Sequence, residues 1–301
     1  MPAADRSLME CIHAENIASN KFAIVQHIAR NVADGLKELH ALNIIHCDIK
    51  PRNVVRIGSD WKIIDLDAAL SDGDSLSKDQ KHSSGGVPPE MARVLFTNNE
   101  KTKETNETDE TKDGTNATAI DLVASTSFDV WSFGILLYQL CTGVSLFHLD
   151  LNSDDLRYDE DRERLMQWKE GPPEKELIDI FRKSINITNS QREDARDLIR
   201  ACLQGDPKKR YISMNDILTH KFLQSDRNQG NRWHQEKKGF FLSHFQTNAG
   251  PSAMKLRKVL KDVVNVASNQ KRLTHAVHVW LDKDETPTVE GMKAGIASHE
   301  C

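Results

Sequence analysis

Residues 127–140 read Ser-Phe-Asp-Val-Trp-Ser-Phe-Gly-Ile-Leu-Leu-Tyr-Gln-Leu, apolar on nearly every side of a helical wheel. A helix without a polar face belongs in the middle of its domain, because any exposed side would place Trp, Phe or Leu in water. The rest of the chain must then supply amphipathic elements to wrap it. The strongly apolar stretch, Trp131 to Cys141, is only about 11 residues long, well short of the roughly 20 that cross a bilayer. A protein core, not a membrane span, is expected.

The neighbouring segments fit that demand. From Phe22 to Leu39 the apolar residues Ile24, Val25, Ile28, Ala29, Val32, Ala33, Leu36 and Leu39 recur at three- and four-residue spacing, which predicts a helix with one buried face. Two short strand-like runs, Asn53 to Ile57 and Trp61 to Asp65, are joined by Gly-Ser-Asp and predict a small hairpin. Further helices are expected at Asp159 to Lys169, Lys175 to Lys183, Arg192 to Gln204 and Ser213 to Leu218. Between Phe96 and Ile120 there is no aromatic or large aliphatic side chain, so residues 98–119 are expected to be a disordered surface insertion. Polar residues 224–238 form the expected linker to a second pattern: an apolar strand at Phe240 to Phe245, an amphipathic helix at Ser252 to Ala267, and a second strand at Ala276 to Leu281. Strand, helix, strand opens a parallel α/β sheet.

Formal net charge is −5 over 301 residues, which gives no basic field for nucleic acid. The N-terminus lacks the basic-then-apolar pattern of a secretory signal. A cytoplasmic chain with no nucleic-acid or membrane partner is expected. Its five cysteines are widely spaced, without a C-x-x-C, and are expected to be reduced thiols; Asn106, Asn116 and Asn186 open sequons that matter only in a secreted protein.

The chemistry concentrates in Ile44-Ile-His46-Cys47-Asp48-Ile49-Lys50-Pro51-Arg52-Asn53, followed after the hairpin by Lys62-Ile-Ile-Asp65-Leu66-Asp67. Two carboxylates, a lysine and an asparagine on tight loops are what phosphoryl transfer to a hydroxyl uses: a carboxylate to orient the hydroxyl and take its proton, a cation for developing charge, and oxygen ligands for magnesium. The stretch resembles the protein-kinase catalytic loop H-R-D-x-x-x-x-N and the metal motif D-F-G. Three more segments resemble that family in the expected order: Val87-Pro-Pro-Glu90 the A-P-E motif, Asp129-Val-Trp-Ser-Phe-Gly134 the start of the central helix, and Gly205-Asp-Pro-Lys-Lys-Arg210 the turn whose Arg pairs with the A-P-E Glu.

The resemblance covers about Met1 to Leu223 and implies these roles: Asp48 as base, Lys50 on the transferred phosphate, Asn53 and Asp65 on magnesium and so on ATP, and His46, Glu90, Asp129 and Arg210 as structural residues. It implies that Glu90 meets Arg210 and that Asp129 accepts hydrogen bonds from the catalytic-loop backbone; capping the helix at Val130-Trp-Ser is a second reading for Asp129, compatible with the first. Lys50, two places after Asp48, is the serine/threonine-directed pattern. Two letters depart from the family. Cys47 stands for the Arg that binds an activation-segment phosphate, and reads as a buried inert thiol or a reactive one. Asp67 stands for Gly in the metal motif, which puts catalysis in question.

The Gly-rich loop, strand Lys and helix Glu of the small N-lobe are not found before His46. The chain is expected to begin where that lobe ends, as a fragment or a solitary C-lobe, and to be inactive alone. Past the linker, Phe240-Phe-Leu-Ser243-His244-Phe, Val277 to Asp282 and Gly291 to Ser298 resemble the first part of a Toll/interleukin-1 receptor-like (TIR-like) domain, which implies self-association; NAD cleavage is also known in that family, but no residue for it can be assigned here. The expected architecture is therefore an α+β protein-kinase-like fold, its C-lobe (1–223) mainly α with small β-hairpins and its N-lobe missing. An incomplete α/β flavodoxin-like (TIR-like) segment (239–301) follows. The expected function is transfer of the ATP γ-phosphate to Ser or Thr of a protein substrate; the alternative is a non-catalytic pseudokinase scaffold for protein partners.

Overall fold

Helix formation follows the apolar periodicity closely. In the computed structural model, which describes residues 6–76, 82–103, 122–211, 213–224, 240–242 and 279–281, the first long helix, α2 (Phe22–Ala41), buries Val25, Ile28, Val32, Leu36 and Leu39 along one stripe. Each such side chain contributes about 1.5–3 kcal/mol by leaving water. α4 (Thr126–Thr142) takes the middle of the domain: Trp131, Phe133, Leu137, Leu140 and Cys141 are fully buried, and the helix ends at Gly143 in a left-handed turn (φ 84°) that residues with a Cβ rarely adopt. α2 packs on one side of α4 and α7 (Asn189–Cys202) on another, with Gly134 so close to Cys202 and Leu203 that a methyl group there would clash.

A short helix α1 (Leu8–Glu15) precedes α2, opened by a capping box between Ser7 and Glu10. Strand β1 (Arg6–Ser7) pairs antiparallel with β3 (Val54–Ile57), which forms a hairpin with β4 (Asp60–Ile63), while β2 (Ile44–Ile45) pairs with β5 (Leu70–Ser71). The hairpin turn is Gly58-Ser59, with Gly58 at φ 61°, so Asp60 already pairs with Ile57. Asn53 lies in a 3₁₀ turn (Pro51–Asn53), ahead of the strand expected to contain it.

Several boundaries differ from the sequence pattern for identifiable reasons. α3 (Pro89–Lys103) runs into the segment expected to be disordered from Asn98: once nucleated at Pro89, helix propagation adds residues cheaply, and Glu100, Lys101 and Lys103 are good helix formers. Residues 104–119, the linker at 225–238 and the helix at Ser252 to Ala267 lie outside the described residues. The helix expected over Lys175 to Lys183 is only α6 (Glu174–Leu177). Beyond it Phe181 adopts φ 52°, donates its N–H to the Cys141 carbonyl (2.7 Å), and sets its ring 5.0 Å from Phe22. A tertiary bond to the end of α4 thus outcompetes the local helix. α7 starts three residues early because Thr188 and Gln191 form a capping box. α5 (Asp159–Met166) stops before Lys169; α8 (Met214–Thr219) starts from the Ser213 cap, and α9 (Lys221–Gln224) follows it. Two short strands, β6 (Phe240–Leu242) and β7 (Val279–Leu281), pair in parallel, as expected of the second pattern. Among the described residues no helix is long and apolar enough to cross a membrane.

Candidate active site

The chain between β2 and β3 is a tight loop, and its first two backbone N–H groups are satisfied from α4. Asp129 lies one turn inside that helix and is fully buried. Its Oδ2 accepts the His46 N–H (2.8 Å) and the His40 Nε2–H (2.8 Å), and its Oδ1 accepts the Cys47 N–H (2.9 Å). The helix cap is Ser125, so the capping reading for Asp129 does not hold. Burial pushes the Asp129 carboxyl up, but the His40 hydrogen bond and charge, with the backbone N–H of His46, bring it net below its ordinary range. One carboxylate thus fixes the entry to the loop, and the loop tolerates Cys47 at φ 64° because two consecutive N–H groups are held.

His46 ties the loop to the hairpin. Its Nε2 meets the Ile64 carbonyl (3.1 Å), which can only accept, so Nε2 carries the hydrogen and Nδ1 accepts the Asp48 N–H (3.2 Å). Ile64 in turn donates its N–H to the Asn53 carbonyl (2.9 Å). Asn53 and the residues leading into Asp65 therefore lie side by side at the open end of the hairpin. Asp65 has φ 67° and accepts the Asp67 N–H at its Oδ1 (3.2 Å).

Three of the residues singled out in the sequence meet directly. Asp48 Oδ2 lies 3.0 Å from Lys50 Nζ and 3.0 Å from Asn53 Nδ2, which also donates to the Asp48 carbonyl (2.9 Å). Asp48 Oδ1 accepts the Ser83 N–H (3.3 Å), and Lys50 donates to Ser83 Oγ (2.5 Å). Asn53 directs its amide nitrogen at Asp48, so its remaining hydrogen-bonding atom is a carbonyl oxygen. That oxygen and the Asp65 carboxylate are the hard donors magnesium takes. The residues present fit a magnesium nucleotide in that respect.

Glu90, in the first turn of α3, and Arg210, after the short turn Pro207–Lys209, form a bidentate pair: both Nη–O distances are 2.7 Å and Arg210 is 3% exposed. Arg210 also donates to the carbonyls of Gln204 (2.7 Å) and Ser127 (3.2 Å), and its guanidinium lies 5.1 Å from the Trp131 ring. Cys47 is the inert alternative. Burial first, then the Asp129 charge, pushes its thiol far up, where no thiolate forms at neutral pH.

Sequence reasoning did not single out Ser83, His40 or Asp154. Ser83 carries a signal, a Ser-Ser-Gly-Gly run shortly before Val87-Pro-Pro-Glu90, whereas Asp154 is one acid among several in a polar loop and has none.

Residues 2–109 and 120–223 match the family described as the protein kinase domain. The chain belongs to the protein kinase family. It is 22% identical over 258 residues to the serine/threonine-protein kinase AFC1 of Arabidopsis thaliana, which covers 74% of this chain and 54% of that protein. It is 26% identical over 249 residues to the dual specificity protein kinase TTK of Mus musculus (80% of this chain, 25% of that protein), and 28% identical over 236 residues to protein lin-2 of Caenorhabditis elegans (74% and 20%). The chain thus spans about half the length of the first relative and a quarter or less of the other two.

Proposed function

We propose that this protein kinase domain transfers the γ-phosphate of magnesium ATP to a Ser or Thr hydroxyl of a protein substrate. The observation that carries the reading is the Asp48 carboxylate, oriented by Lys50, Asn53 and the Ser83 N–H together. Asp48 orients the acceptor hydroxyl and takes its proton at a carboxylate oxygen. Lys50 places a positive charge beside that carboxylate, where negative charge develops on the group in flight. Asn53 and Asp65 offer the oxygens that would hold magnesium, which with ATP supplies the phosphoryl group and neutralises its charge. His46 and Asp129 touch none of the reacting groups and keep the loop in place. The serine/threonine kinases among the relatives, and Lys50 itself, favour hydroxyls of Ser and Thr.

A second reading has its own support. Asp67 stands where the family has Gly, and its N–H is committed to Asp65, one of the two magnesium residues. That favours a non-catalytic pseudokinase scaffold, in which a TIR-like segment, consistent with the parallel β6–β7 pair, recruits partners. The same experiment separates the two. In the full-length protein, Asp48→Ala lowers phosphate transfer to a generic basic protein by at least about 100-fold with the melting temperature unchanged; an undiminished rate removes Asp48 from the chemistry. Magnesium ATP raises the melting temperature of an ATP-binding kinase and leaves that of the scaffold unchanged.

A further inference from the structure

The loop Leu149–Leu156, closed by an antiparallel bridge between those two residues, reaches into the site through Asp154. Asp154 is 7% exposed and adopts φ 61°, a left-handed conformation that Asp tolerates better than most residues. Its carboxylate lies 3.6 Å from Lys50 Nζ and 3.1 Å from Arg52 Nε. Its carbonyl accepts the Gly85 N–H (3.2 Å), and a methyl group at Gly85 would collide with that carbonyl and with Leu149. Next to it, Asp155 Oδ1 accepts both the N–H and the hydroxyl of Ser84 (2.9 Å each), while Ser84 Oγ accepts the Leu156 N–H (2.8 Å).

Every residue from Ser83 to Gly85 is therefore held on a side chain or carbonyl of either the Asp48 loop or the Leu149–Leu156 loop. The family resemblance implies an Arg at the position of Cys47 that binds a phosphate on the activation segment, and Cys47 has no positive charge with which to do so.

We propose that Asp154 and Asp155 are positioning residues that form a built-in clamp. Asp154 keeps Lys50 and Arg52 in place, Asp155 pins Ser84, and together they hold Ser83–Gly85 against Asp48 without any phosphate. The inference concerns the regulation of the site described above and rests on that reading for its meaning, but its test does not require activity. In phosphatase-treated full-length protein, amide hydrogen exchange at Ser84 and Leu156 is slow, and Asp155→Ala speeds it at least tenfold while the α4 amides are unchanged. Fast exchange in the dephosphorylated wild type, or no acceleration in Asp155→Ala, overturns the clamp.

Asp154→Asn keeps a residue that accepts φ 61° and removes only the charge. It raises acylation of Lys50 by an amine-reactive reagent at least fivefold relative to Lys62, and lowers kcat at least tenfold with the KM for ATP within twofold. Unchanged Lys50 reactivity removes Asp154 from the clamp. A wild type that transfers no phosphate, yet shows the exchange and acylation effects, refutes the kinase reading alone.

Discussion

Asp129, within α4, and Arg210, packed against it, are both buried, but they are satisfied in different ways. Asp129 carries its charge among two backbone N–H groups and one imidazole, whereas Arg210 meets the opposite charge of Glu90 in a bidentate pair and spends its remaining donors on carbonyls. The first centre shapes a loop: without Asp129 the backbone from His46 to Cys47 has buried donors and no acceptor. The second bolts together two segments 120 residues apart, the start of α3 and the turn before α8. A buried charge held by backbone N–H groups orients chemistry; one held by a countercharge fixes topology.

The largest expected effect tests the second centre. Arg210→Ala leaves the Glu90 carboxylate without its partner and costs about 4 kcal/mol in urea unfolding; the double substitution Glu90→Leu with Arg210→Met recovers most of it, since a hydrophobic replacement of a buried pair is often near neutral. A double variant as unstable as Arg210→Ala would show that the pair does more than join two segments.

Asp129→Ala costs about 3 kcal/mol, roughly one for each of three buried donors left unpaired. It abolishes phosphate transfer even at temperatures where the domain is folded, whereas Arg210→Ala protein that is folded keeps measurable transfer. Equal loss in both would erase the distinction between a loop anchor and a bolt.

Acid sharpens the contrast further. Because the folded Asp129 carboxyl lies below its ordinary 3.8, its contribution is fully present above that value and is lost as pH falls through the folded value. Urea midpoints should therefore fall more steeply below about pH 3.8 in the wild type than in Asp129→Asn; parallel slopes would show that Asp129 gains nothing from its partners.

The smallest effect is a control outside both centres. Thr188→Ala removes the α7 cap, costs about 1 kcal/mol, and leaves phosphate transfer unchanged in the folded protein; a changed rate would mean that α7 communicates with the site.

Much of this was legible because it is local. The spacing of Val25, Ile28, Val32 and Leu36 needs only one helix to express it, and the all-round apolarity of Trp131 to Cys141 needs only water as its alternative. The order His46, Asp48, Lys50, Asn53, Asp65 pointed to a set of which the fold gathers Asp48, Lys50 and Asn53 in direct contact and sets Ile64, the residue before Asp65, beside Asn53. Other features were not legible. Phe181 leaves a helical pattern because the end of α4 offers its N–H a carbonyl, and α3 continues past Phe96 because a helix already begun is cheap to extend. The first cause lies in a distant carbonyl, and the second needs a helix already nucleated at Pro89.

By itself, then, the sequence determined that α2, α4 and α7 are helices, which one is central, and which residue types stand ready for phosphoryl transfer, since propensity, periodicity and motif order act over a few residues. Only the tertiary structure decided that Asp129 reaches the His46–Cys47 backbone and that Asp154 and Asp155 close on Lys50 and Ser84. Those contacts join residues about 70 to 100 positions apart, and a polar side chain carries no mark of its distant partner until burial removes water as the alternative.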